Sequence, residues 1–68
     1  MWIAEYDSSH FSFVAVGEQR VRAIYALKRG LRKHGEEYGC DPHWWDNDGI
    51  NTYQIQMGEC LRDGSVIK

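Results

Sequence analysis

Cysteine, proline and long apolar runs are scarce in this 68-residue chain, and each shortage excludes something. Two cysteines, Cys40 and Cys60, stand alone. The opening MWIAEYDSSH has neither the basic flank nor the apolar run of a secretory signal. A disulfide framework is therefore not expected, and the reading is a soluble protein of the cytoplasm with reduced thiols. No stretch approaches the ~20 apolar residues of a membrane-spanning helix. Pro42 is the one proline. There is no internal repeat, no linker and no low-complexity tract, so residues 1–68 read as a single domain.

Catalytic signatures are missing too. The chain holds no G-x-S-x-G, no P-loop and no H-E-x-x-H. The run Asp46-Asn47-Asp48-Gly49 lacks the alternating acids of a calcium loop. Cys40 and His43 have C-x-x-H spacing, with His34, His10 and Cys60 as further donors. A single pair of that kind is not a zinc motif, and Cys60 reads as a small buried apolar residue. The expectation is a protein that is not an enzyme and carries no cofactor and no metal.

What is present is charge segregation. Between Arg20 and Lys33 lie six basic residues and no acid, while the rest of the chain carries ten acids against Arg62 and Lys68. The net charge of −2 hides one positive face on an otherwise negative molecule. Aromatic residues are plentiful: three Trp, four Tyr and two Phe. They fill a core or make a self-association surface. A domain this small buries only about 60% of its unfolded surface and usually needs a staple or a partner. An oligomer is expected, most simply a homodimer.

The positive stretch is also the only one with a sustained helical period. Placed ~100° apart, Ile24, Leu27, Leu31 and Tyr38 fall on one side, with Ala23 and His34 beside them. Arg22, Tyr25, Arg29, Arg32 and Lys33 fall opposite. The period predicts a helix over residues 18–38, with Glu18 at the positive end of its dipole and Gly39 just past its end. An end near His34, with Gly35 as the cap, is the other reading. Gly35 projects toward the core face, where close approach to a sheet explains it.

Before the helix, Trp2–Tyr6 and His10–Val16 read as two strands of a hairpin across Asp7, Ser8 and Ser9. Phe11, Phe13 and Ala15 share one face of the second strand; Ser12, Val14 and Val16 share the other. After the helix, Asp41-Pro42 looks like the start of a short helical turn carrying His43, Trp44 and Trp45. Asp46–Gly49 reads as a turn. Ile50–Met57 alternates as a third strand, with Tyr53, Ile55 and Met57 on one face. Cys60–Arg62 and Val66–Ile67 read as a fourth, interrupted at Asp63 and Gly64. The expected fold is α+β: ββαββ, one helix packed on a four-stranded antiparallel sheet.

The residues that carry recognition chemistry lie on the polar face of the helix. Arg22, Tyr25, Arg29 and Arg32 recur at spacings of three, four and three and form a ridge. The guanidinium fork suits phosphate and carboxylate, and a tyrosine among arginines offers a stacking surface for a base. Trp44 and Trp45 cannot both point into one small core. Either one is an exposed anchor, or both close the open end of the sheet. The predicted ligand- or partner-binding set is Arg22, Tyr25, Arg29, Arg32, Lys33, Trp44 and Trp45.

From Phe13 to Leu31, FVAVGEQRVRAIYALKRGL resembles the strand–glycine–helix junction of HicB-like antitoxins, with Gly17, Ala23 and Leu27 matching. Gln19 and Arg22 depart from it, standing where the family favours threonine and glutamate. The family's proline-glycine loop after the second strand and its C-terminal DNA-binding helices are absent. The resemblance supports the ββαββ order. By general profile the chain is similar to small phage proteins that block bacterial defence, such as anti-CRISPR proteins and sponges for nucleotide signals. That likeness implies a non-enzymatic binder that occupies a nucleotide or nucleic-acid ligand, or an acidic surface of a host defence protein. The alternatives are an antitoxin-like module masking a small toxin and an enzyme formed at a dimer interface.

Overall fold

The computed structural model describes residues 1–63 and 65–67. Its elements are β1 (Trp2–Asp7), β2 (Ser12–Gly17), α1 (Arg20–Tyr38), a 3-10 turn (Asn47–Gly49), β3 (Asn51–Gln54), β4 (Cys60–Arg62) and β5 (Ser65–Ile67). The fold is α+β with one helix, and the strands pair antiparallel throughout. They form not one four-stranded sheet but two: β2-β1-β3, and a separate β4-β5 hairpin.

The division has a local cause. β3 ends at Gln54, and Gln56–Glu59 then closes a turn in which the Gln56 amide donates to the Glu59 carboxylate at 2.7 Å. Gly58 sits at φ +88°, a conformation only glycine adopts without strain. The chain thereby leaves the free edge of β3. Asp63, at φ +52°, lies in the turn that brings Leu61 opposite Val66, and Asp-Gly is the strongest short hairpin signal. The expected interrupted fourth strand is thus two strands paired with each other. Gly64, part of that interruption, lies outside the described residues, as does Lys68.

The helix covers one face of the three-stranded sheet. Alternation along β1 sends Trp2, Ala4 and Tyr6 toward it, and register aligns Ala4 with Ala15 of β2 and Thr52 of β3. Ala4, Ala23, Leu27, Leu31 and Trp45 form the buried centre. Full burial of each leucine contributes about 2–3 kcal/mol. Gly17 is forced: a Cβ there would stand 2.5 Å from the Ala23 amide nitrogen, where the helix folds back on β2. Gln19 is extended (φ −120°, ψ 153°), so the helix starts at Arg20 and Glu18 lies outside its first turn. At the other end Gly39 is left-handed and closes the helix after Tyr38. Tyr38 is exposed rather than in the core stripe, and its ring rests against His34 and Phe11.

The apolar face of β3 points away from the helix. Tyr53 pairs with Ile3, which is already on the outer face of β1, and Ile55 follows it. Ile3, Val14, Tyr53, Ile55 and Leu61 therefore line an open concavity of about 580 Å³ between sheet and hairpin, rimmed by Glu5, Asp7, Glu59 and Asp63. The neighbouring Glu5 carboxylate, as the nearest polar partner, then partial loss of hydration, then the charges of Glu5, Asp63 and Asp7 push the Tyr53 phenol above its ordinary value. Cys60 is exposed on the uncovered hairpin, not buried as expected, and Cys40 is exposed as well.

Candidate anion-binding groove

The segment between α1 and β3 is tied down by its own polar side chains. Asp41 accepts the His43 amide at 2.9 Å, and the Trp44 amide donates to the Asp41 carbonyl at 3.1 Å. This is a tight turn with proline in its second position, not the expected turn of helix. Asp46 accepts from the Asp48 amide at 3.0 Å and caps the 3-10 turn, while its own amide donates to the Tyr6 hydroxyl at 3.2 Å. The Tyr6 hydroxyl ties this loop to β1, and the Trp44 indole ties it to the helix.

The two tryptophans divide the work. The Trp44 indole N–H donates to the Leu31 carbonyl at 2.8 Å. Its ring packs where a Cβ on Gly35 would stand, 2.8 Å from Cδ1, and meets the Tyr6 ring edge-on at 5.9 Å. Gly35 thus admits the Trp44 indole, not the sheet. Trp45 is 8% exposed, and its N–H donates to Asn47 Oδ1 at 3.2 Å. Trp44 is half-buried against the helix; Trp45 forms part of a groove wall that Trp44 does not share. Both therefore pack on the core, Trp45 within it and Trp44 against it, although they are adjacent in sequence.

That groove, about 520 Å³, is lined by Tyr25, Lys28, Arg29 and Arg32 from the helix and His43, Trp45 and Asn47 from the loop. Tyr25, Lys28, Arg29 and Arg32 are neighbours at helical spacings of three, four and seven. Three cations and no carboxylate face the space. An anion ~4 Å from one such cation gains about 1 kcal/mol in bulk water and about 4 kcal/mol at the lower effective dielectric of a protein surface. Tyr25, 67% exposed, supplies a flat apolar surface at the mouth.

Of the predicted set, Tyr25, Arg29, Arg32 and Trp45 come together here. Arg22 lies in an adjoining depression with Gln19 and Val21, continuous with the groove through the shared Tyr25 and Arg29. Lys33 is exposed and lines neither. Arg20 is also outside, its Nε donating to Thr52 Oγ1 at 3.1 Å. Lys28, His43 and Asn47 complete the lining from outside the predicted set. Lys28 was discoverable, three residues after Tyr25 and four before Arg32; His43 and Asn47 arrive only through the loop's tertiary path. Among the described residues no three His, Cys, Asp or Glu side chains are grouped to hold a metal ion. Among the described residues no helix is long and apolar enough to cross a membrane. No protein-family model, no curated protein and no solved structure matches the chain.

Proposed function

We propose that this chain is a non-enzymatic binding protein whose groove takes a phosphorylated nucleoside. The observation that carries this is the convergence of Lys28, Arg29 and Arg32 with Tyr25 and Trp45 on one concavity that has no acid in its lining. Its volume lies in the range of small-ligand sites. The guanidinium groups of Arg29 and Arg32 bind phosphate oxygens, with Lys28 as a third positive charge. Tyr25 stacks on the base, and Asn47 offers an amide to its polar edge. The ligand is held, not transformed, and the biological effect is occupancy. In a protein of phage or mobile-element type, that effect is inhibition of a bacterial defence component in the host cytoplasm, a role supported by the chain's short, acidic, single-domain profile.

Native mass spectrometry of protein purified gently from cells, then mixed with nucleotides, tests the reading. The expected spectrum carries extra mass of nucleotide size that Arg29→Glu/Arg32→Glu abolishes while circular dichroism stays unchanged. A bare chain that takes up no nucleotide overturns it. Copurification of a macromolecule in place of a nucleotide shifts the reading to a protein target on the same face.

A further inference from the structure

The opposite flank of α1 carries a second surface. β2 is an edge strand: one side pairs with β1 along all six residues, and among the described residues no strand pairs with the other. Natural edge strands are guarded by charge, proline or a bulge. Ser12–Gly17, SFVAVG, has no charge and no proline, and its register with β1 runs without a bulge. Val14 and Val16, 64% and 55% exposed, stand on its outer face. The other edge, β3, is only four residues long and bounded by Asn51 and Gln54.

The helix above this edge is unusually small-sided. Ala23 lies against Gly17 and His34 against Phe13, so these residues mark the β2 side of α1. One step further round, at ~100° per residue, come Ala26, Gly30, Lys33 and Glu37. Gly30 is mid-helix, where glycine costs about 1 kcal/mol relative to alanine, yet nothing lies within 4 Å of where its Cβ would be. One copy of the chain offers no reason for it. At ~1.5 Å per helical residue and ~3.4 Å per strand residue, the Gly17–Ala23 and Phe13–His34 contacts place Gly30 beside Val14.

We propose that this flank is the interface with a second copy of the chain. The two β2 edges pair antiparallel about a two-fold axis near Val14, making one six-stranded sheet. The helix packs over β2 and β1, so its axis sits just inside β2. Strands pair ~4.8 Å apart, which sets the two helices near the 8–10 Å separation of packed helices. The close end of that range requires small facing residues, and Gly30 meets Gly30 of the second copy with Ala26 alongside. Charges complement across the same axis: antiparallel helices centred near Gly30 bring Glu37 of each copy toward Arg22 of the other. The groove lined by Lys28, Arg29, Arg32 and Trp45 is on the far flank and stays open in both copies, and only Arg22, from the depression beside it, turns toward the seam, so this inference stands apart from the ligand reading.

Sedimentation velocity from micromolar to near-millimolar concentration tests it on the wild type, Val14→Lys and Gly30→Glu. The expected wild type sediments at twice the chain mass. Both variants sediment at the single-chain mass, or weaken the dimer at least tenfold, with unchanged far-ultraviolet circular dichroism. Should Val14→Lys unfold, Gly30→Glu decides, because its side chain enters open space. A wild type that stays at single-chain mass throughout overturns the proposal, as does a Gly30→Glu variant that remains as dimeric as the wild type.

Discussion

Gly35 and Tyr53 show how single residues answer to what surrounds them. Alanine at position 35 gains up to about 1 kcal/mol of helix propensity, but its Cβ would press on the Trp44 ring at 2.8 Å. That ring is held by its bond to Leu31, so overpacking prevails. Gly35→Ala is expected to lower stability by about 1–3 kcal/mol, measured by urea unfolding. Tyr53 answers to charge. Its phenol is raised in the folded state, chiefly by the neighbouring Glu5 carboxylate, so the folded chain holds that proton more tightly than the unfolded one. The associated stability is present below the ordinary phenol range and is lost as pH rises through the higher folded value. Tyr53→Phe is expected to flatten the alkaline limb of the stability–pH curve. An identical limb in wild type and variant would show that another group is responsible. Sequence reading placed Gly35 on the core face from its period, but the indole that fills the space comes from nine residues away by a loop with no period to read.

At the scale of elements, α1 was the most legible feature because an amphipathic period over 19 residues is hard to mistake. Of its expected stripe, Leu27 and Leu31 are buried together with the flanking Ala23, Ile24 is partly buried and Tyr38 is exposed, while the stop at Gly39 follows from glycine's tolerance of left-handed backbone. Its start was less legible because no capping side chain marks it: Gln19 makes no cap hydrogen bond. Gln19→Ser is expected to add about 1 kcal/mol, a rise of about 4–8 °C in Tm for a domain of this size, read by calorimetry. β3 was legible as a strand, but the direction of its apolar face was not. Period two fixes which residues share a face, whereas pairing of Tyr53 with Ile3 fixes where that face points. The three-residue arms of the β4-β5 hairpin are too short to show alternation, so in sequence they look like one broken strand.

The whole molecule is polarised. Arginine and lysine line the groove beside the helix, and carboxylates rim the concavity on the outer face of the sheet. The segregation was visible in the sequence as a run of six cations with no acid. The gathering of Tyr25, Lys28, Arg29 and Arg32 against His43 and Trp45 was not, because it depends on Tyr6 and Gly35 anchoring the loop. Since solvent-exposed charges attract the ligand, affinity is expected to fall as salt rises past ~0.1 M, where the Debye length is about 10 Å. An affinity indifferent to salt would argue for apolar capture at Tyr25 alone. The central claim is tested most directly by calorimetric titration of a nucleoside triphosphate into the wild type and into Arg29→Glu/Arg32→Glu. Saturable binding by the wild type, at least tenfold weaker in the folded double variant, is the predicted result. No heat of binding in either protein, or equal affinity in both, would contradict it.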